Sequence, residues 1–220
     1  YETSWENDRT HLISEFVQGG DLCQYISRRG KPLLEPERAV RIIAQALDGL
    51  DYFHTQAARY VHRDLKPENI LIRQNNGEFA VKLADFGLAR SYEKHGGTVT
   101  RAGEFAGTWF YMPPEQIKDF KECKPPTDIY SMGVTLYYLL TGVLPLDLPA
   151  PWKVKAGKHF QIKAPPQVVV VHSDRVSLGK RRSDLPRKLI STVDKAIHKE
   201  AGRRYQTAEA FRADLLAAVD

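Results

Sequence analysis

At 220 residues with 42% apolar side chains, the chain can bury one sizeable core and lies near the upper end for a single domain, so one compact body is expected. Its two cysteines, Cys23 and Cys123, are too few for a disulfide scaffold and lack metal-ligand spacing, which points to a reducing, cytoplasmic setting. No signal peptide opens the chain, the longest apolar run (Met132 to Leu140) is far short of the roughly 20 residues a bilayer needs, and the net charge of +5 is regional: residues 151–188 carry ten Lys/Arg against Asp174 and Asp184, leaving the remainder at −3.

In chain order, Thr10 to Val17 reads as a short strand. Gly19-Gly20 breaks that pattern, and Asp21 suits the cap of a brief helix ending near Gly30. From Pro36 to His54 the apolar positions Val40, Ile43, Leu47, Leu50 and His54 recur every three or four residues, the spacing of one helical face, and a proline just inside the start supports the helix. The texture then changes to short apolar runs, Ile70-Leu71-Ile72 and Ala80-Val81-Lys82-Leu83, joined through Asn75-Asn76-Gly77, a strong hairpin signal.

Residues 86–115 are rich in Gly, Thr and charge and show no periodicity, so a long surface loop is expected. Ile129 to Leu140 is apolar on nearly every side, the mark of a helix buried all round, and Gly142 followed by Pro145 ends it. The proline-rich stretch 145–168 reads as irregular, with Val168 to Val171 extended. Leu189, Ile190, Val193 and Ile197 again step helically, and a last helix opens after Thr207 with Phe211, Leu215 and Ala218 on one face.

The chemistry-bearing residues flank the hairpin. His62 to Asn69 reads His-Arg-Asp-Leu-Lys-Pro-Glu-Asn and runs into its first strand; Asp85-Phe86-Gly87 leaves its second. One ribbon can therefore bring together a carboxylate to orient a hydroxyl (Asp64), a cation to face a phosphoryl group (Lys66), and oxygen ligands for magnesium (Asn69, Asp85). An isolated Asp, Lys or Asn in a loop is more often a cap or a solvated charge; eight contiguous residues plus Asp-Phe-Gly at this spacing override that reading.

With these residues in place, the chain resembles the C-terminal lobe of a Hanks-type (eukaryotic-like) serine/threonine protein kinase over essentially its whole length. The resemblance implies an α+β fold, mainly helical, with a small β-hairpin carrying the catalytic and magnesium loops. It implies ATP and Mg2+ as cofactors and transfer of the γ-phosphoryl group to a protein hydroxyl. By the same likeness Asp64 is the base that orients the hydroxyl, Lys66 faces the γ-phosphate, and Asn69 and Asp85 are the metal ligands. Leu71 underlies the adenine, Glu15 and Val17 offer hinge backbone groups to it, Asp21 faces the ribose, and Ser14 takes the gatekeeper position.

Further along, Gly107-Thr108 and Pro113-Pro114-Glu115 resemble the end of an activation segment, with Thr108 reaching Asp64 and Lys66. Glu115 would pair with Arg204, and Asp128 would hold the backbone of the catalytic loop; all three are structural supports in this reading. Family members usually have alanine where this chain has Pro114. Arg63 next to Asp64 is costly to hold near Lys66 without an anion, which a phosphorylated loop residue supplies: Thr100 first, then Thr98 or Thr108. Lys66 with Thr108 favours serine/threonine over tyrosine specificity, and Pro-Pro-Glu-Gln with Arg204-Tyr205-Gln206-Thr207-Ala208 resembles bacterial members.

The family's glycine-rich loop, strand lysine and helix glutamate do not occur before residue 62. The expectation is a residual strand and hinge over 1–20, a C-terminal lobe over 21–220 with the activation segment at 85–115, and an N-terminal lobe largely absent. On that reading these 220 residues alone are poorly preorganised and inactive, and apolar surface left by the missing lobe drives self-association. Protein substrates are the expected partners. The rival reading is a non-catalytic lobe acting as a protein-binding scaffold. Hydrolase and zinc readings find no supporting grouping, and the basic stretch lacks the interleaved aromatics of a nucleic-acid surface, so no nucleic acid is expected.

Overall fold

A computed structural model describes residues 2–6, 9–28, 33–56, 60–75, 78–86, 90–91, 108–147 and 166–219. The fold is mainly helical, built around α4 (Pro125–Thr141). Its residues from Pro126 to Tyr137, and Leu139 and Leu140 after them, are buried; each fully buried Leu contributes about 1.5–3 kcal/mol relative to exposure. Pro125 and Pro126 start this helix where no intrahelical N–H partner is needed. Gly142, at φ 70°, ends it, its N–H donating to Tyr138 O at 2.8 Å, a backbone state that glycine adopts without Cβ strain.

Around α4 pack α2 (Pro36–Thr55), α7 (Arg187–Ala196) and α8 (Ala208–Leu216). The face of α2 expected from its spacing, Val40, Ile43, Leu47, Leu50 and His54, is buried. Helix α8 opens on Thr207, whose Oγ1 accepts from Ala210 N at 3.2 Å. A short α1 (Leu22–Arg28) is capped by Asp21, whose Oδ1 accepts from Gln24 N at 2.8 Å.

Three two-stranded antiparallel sheets complete the described framework: β1 (Glu2–Glu6) with β2 (Arg9–Ile13), β3 (Tyr60–Val61) with β6 (Arg90–Ser91), and β4 (Ile70–Asn75) with β5 (Glu78–Leu83). In the last hairpin Ile70 faces Leu83 and Asn75 faces Glu78, the register of a two-residue connection. Strand β5 lies on α2, where the Gln45 amide donates to Phe79 O (3.2 Å) and accepts from Val81 N (3.1 Å). Gly19 lets the chain pass close to β4: a Cβ there would sit 2.0 Å from Ile72 O.

Three expectations need correction. The strand expected over 10–17 ends at Ile13 and leaves 14–17 without regular structure, because its pairing with Glu2 to Glu6 runs out there. Val168 to Val171 is not extended but lies within α5 (Pro166–His172). The β-branched run reads locally as strand, but Pro166 presets a helical first turn and Val170 is buried with Phe110 and Leu146 in a second small core. The loop expected over 86–115 is regular at its described ends, with β6 near its start, a 3-10 turn over Thr108–Tyr111, and α3 (Pro114–Lys118). Pro114 occupies the first position of α3 and is buried, so proline in place of alanine fits without distortion.

Between them, α6 (Leu178–Arg181) caps on Ser177 and packs beside α7. Among the described residues no helix is long and apolar enough to cross a membrane.

Candidate active site

The segment from β3 to β4 holds its polar residues in a tight turn. Lys66 O accepts from Asn69 N at 3.0 Å, closing a 3-10 turn over Pro67–Asn69. The Asn69 side chain turns back, Nδ2 donating to Asp64 O at 2.6 Å and to Asp64 Oδ2 at 3.0 Å. Lys66 Nζ lies 3.3 Å from the same Oδ2. Asp64 Oδ1 is buried without a hydrogen-bond partner, an acceptor of the kind a substrate hydroxyl can meet. Burial pushes the Asp64 carboxyl above its ordinary value; Lys66 and Asn69 pull it down without cancelling the rise, and Asp85 adds to it.

The hairpin register carries the second half of the site. Because Ile70 pairs with Leu83, Asn69 stands beside Ala84, whose N–H donates to Asn69 O at 2.9 Å. His62 Nε2 donates to Ala84 O at 3.0 Å, while its Nδ1 accepts from Asp64 N at 3.4 Å. Ala84 is thus tied to both ends of the His62–Asn69 turn, and Asp85 is its next residue. Asp85 has φ 58°, and Arg63 has φ 70°. Left-handed backbone at non-glycine residues is costly and gathers at functional sites. Phe86 packs on His62, ring centroids 4.9 Å apart, and on Phe53 at 5.0 Å.

Asp128, fully buried in the first turn of α4, accepts from three donors: His62 N at 2.7 Å, Arg63 N at 2.8 Å and His54 Nε2 at 2.8 Å. Burial alone would raise its carboxyl, but the His54 hydrogen bond and charge, with the backbone donors, bring it below the ordinary value. Glu115 and Arg204 form a bidentate pair, 2.6 and 2.9 Å. Arg63 is buried, its guanidinium 5.4 Å from the Phe120 ring.

At the other edge, Glu15 is exposed and lies 3.1 Å from Lys82 and 3.7 Å from Arg73 on the hairpin. Val17 is buried and Ser14 exposed. Asp21 and Leu71 form a β-bridge, and Ile72 N donates to Gly20 O at 2.9 Å. The structure therefore brings Asp64, Lys66 and Asn69 into contact, sets Asp85 beside them, and docks 14–21 against the same hairpin. Thr98 and Thr100 lie outside the described residues, as do the side chain of Thr108 and the connection Asn76-Gly77. Two contributors escaped the sequence reading: His54, legible only as a helix-face residue, and Gln116, whose contact with Arg63 has no local signal.

The model of the protein kinase domain matches residues 1–216. This chain belongs to the protein kinase family. Relatives include the serine/threonine-protein kinase PknB of Mycolicibacterium smegmatis, 36% identical over 206 residues, covering 94% of this chain and 30% of the relative. The kinase pkn3 of Myxococcus xanthus is 38% identical over 216 residues (96% and 37%), and PrkC of Bacillus subtilis is 31% identical over 220 (100% and 31%). The kinase-family chain thus spans about a third of the length of these bacterial relatives. Its fold is that of solved kinase domains. It resembles PknI of Mycobacterium tuberculosis with a TM-score of 0.66 and 18% identity, covering 94% of this chain and 65% of that one. The Rad53 kinase domain, solved in complex with AMPPNP, gives 0.63 at 25% identity, covering 91% and 66%.

The oxygen donors suit the metal that the kinase family implies. With Nδ2 committed to Asp64, the Asn69 Oδ1 is left on the opposite side of the amide, and Asp85 adds a carboxylate. No group of three or more His, Cys, Asp or Glu fit for a metal occurs among the described residues. Two hard oxygens completed by phosphate and water are what Mg2+ prefers, since it dehydrates reluctantly.

Proposed function

We propose that the protein is an ATP- and Mg2+-dependent serine/threonine kinase that transfers the γ-phosphoryl group to a hydroxyl of a protein substrate. The convergence of Lys66 and Asn69 on one oxygen of Asp64, with the other oxygen buried and unpartnered, carries this reading. In this reading Oδ1 accepts the substrate hydroxyl's hydrogen bond and aims its oxygen. Asn69 fixes the carboxylate's rotation, and Lys66 holds a cation where charge gathers during transfer. Asn69 and Asp85 would hold Mg2+, which neutralises phosphate charge.

Residues 14–21 serve as the hinge, with Glu15 and Val17 offering backbone groups to adenine, Leu71 beneath it, and Asp21 toward the ribose. In this organisation residues 1–20 are strand and hinge, and 21–220 the helical lobe with its activation segment at 85–115. In the same reading Thr108 would reach Asp64 and Lys66. The complex of Rad53 with AMPPNP supports a nucleotide as ligand of this fold.

The test is transfer of labelled phosphate from ATP to a generic acceptor protein by the full-length protein and its Asp64→Asn variant. A loss of about 10^3-fold or more in the variant is expected; equal, background transfer by both would favour the scaffold reading. The 220 residues alone are expected to be inactive and to self-associate through apolar surface such as Phe16, which is 86% exposed. A monodisperse monomer by light scattering at high concentration would refute the self-association.

A further inference from the structure

Arg63 connects His62 to Asp64 in a left-handed conformation, which a residue with a Cβ holds only when its surroundings force it. On one side of its backbone the restraint is clear, since Arg63 N donates to Asp128 Oδ1. On the other side Gln116 Nε2 donates to Arg63 O at 2.7 Å. The acceptor is a carbonyl, so the amide nitrogen must be the atom that faces it.

Gln116 is buried, 2% exposed, and its Oε1 has no hydrogen-bond partner. The amide leaves its own oxygen unpaired while its nitrogen satisfies the Arg63 carbonyl, so its one buried hydrogen bond is made to the strained Arg63 backbone. Gln116 sits on α3 immediately after Glu115, whose carboxylate is locked to Arg204. Its amide is therefore presented from a fixed base.

We propose that Gln116 is a positioning residue for Asp64. It clamps the Arg63 carbonyl from α3 while Asp128 clamps the Arg63 N–H from α4, and the two together hold the strained turn that aims the catalytic carboxylate. The end of the activation segment is thereby coupled mechanically to the proton acceptor, with Gln116 touching neither nucleotide nor substrate. The inference rests on the kinase reading above for its effect on rate, but its structural part stands apart from it.

The experiment uses the full-length protein and Gln116→Met, which keeps length and burial but cannot donate; Gln116→Asn, one methylene short of the carbonyl, is the second variant should the first fail to fold. Two quantities are read: steady-state transfer, and backbone amide hydrogen exchange at Arg63 and Asp64. Expected are a kcat about 10–100-fold lower with KM for ATP within twofold, exchange at both amides about tenfold faster, and a melting temperature within a few degrees of the parent. If Gln116 merely filled space, Met would replace it with the exchange at Arg63 and Asp64 and the kcat of the folded enzyme unchanged; that pattern overturns the proposal. If the parent transfers no phosphate, the kinase reading falls, and unchanged or faster exchange still decides the role of Gln116.

Discussion

The Arg204 guanidinium, its side chain wholly buried, meets the partly exposed Glu115 carboxylate through two parallel hydrogen bonds of 2.6 and 2.9 Å, across 89 residues of sequence. The same guanidinium donates to His198 O, Pro126 O and Lys199 O and lies over the Tyr130 ring. It ties α3, the start of α4 and the turn before α8 into one unit. Removing its carboxylate leaves a buried cation that the carbonyls only partly compensate.

Glu115→Ala should therefore cost about 3–5 kcal/mol, the usual penalty for breaking a buried pair on one side. Urea denaturation measures it. A loss under about 1 kcal/mol would mean that the pair behaves as a surface ion pair.

Asp64→Asn should stabilise the fold while abolishing transfer. The folded carboxyl titrates above its unfolded value, chiefly because it is buried, so its ionised form disfavours folding at neutral pH. That penalty fades as pH falls through the folded pKa and is gone below the unfolded value, about 3.9. Melting curves should show the Asp64→Asn variant more stable than the parent at about pH 7, with the difference shrinking as pH falls toward the unfolded carboxyl value of about 3.9; a lower melting temperature for the variant at neutral pH would contradict the sign.

Asp128 behaves in the opposite sense. Its folded pKa is depressed, so its contribution is complete above the unfolded value and is lost as pH drops through the folded one. Asp128→Asn should cost about 2–3 kcal/mol at neutral pH, since hydrogen bonds to a charged group are weakened or lost. The deficit against the parent should shrink on acidification below about pH 4. A deficit that grows in acid would assign the buried carboxyl the wrong state.

Arg63 supports a regulatory prediction. Its guanidinium is buried and lies 5.4 Å from the Phe120 ring, and in the proposed kinase reading a phosphorylated residue of the activation segment would pair with it. Mass spectrometry of the active full-length protein should find phosphate between Asp85 and Glu115, at Thr100 first and otherwise at Thr98 or Thr108. Arg63→Ala should then remove most of the difference in rate between phosphorylated and dephosphorylated protein. Active protein with no phosphate in that window would end this reading.

Elements with local signals could be read from the chain without its fold. The three-and-four spacing of α2 is one, since burial of Val40, Ile43, Leu47 and Leu50 follows from helix geometry. The β4–β5 hairpin is another, because Asn75-Asn76-Gly77 sets a short connection and so brings Asn69 level with Ala84. The order of Asp64, Lys66, Asn69 and Asp85 was legible for the same reason: each lies within a few residues of that ribbon.

Features that depend on partners distant in the chain emerged only with packing. Val168 to Val171 has strand propensity, yet it is helical because Val170 has a core to fill beside Phe110 and Leu146. Residues 14–17 lose their strand character once β1 ends. His54 and Gln116 gain their roles only when α2 and α3 reach Asp128 and Arg63, 74 and 53 residues away in sequence. Periodicity encodes which face of an element is apolar, but a hydrogen bond to a strained backbone is encoded by no local pattern and exists only after packing has brought its two ends together.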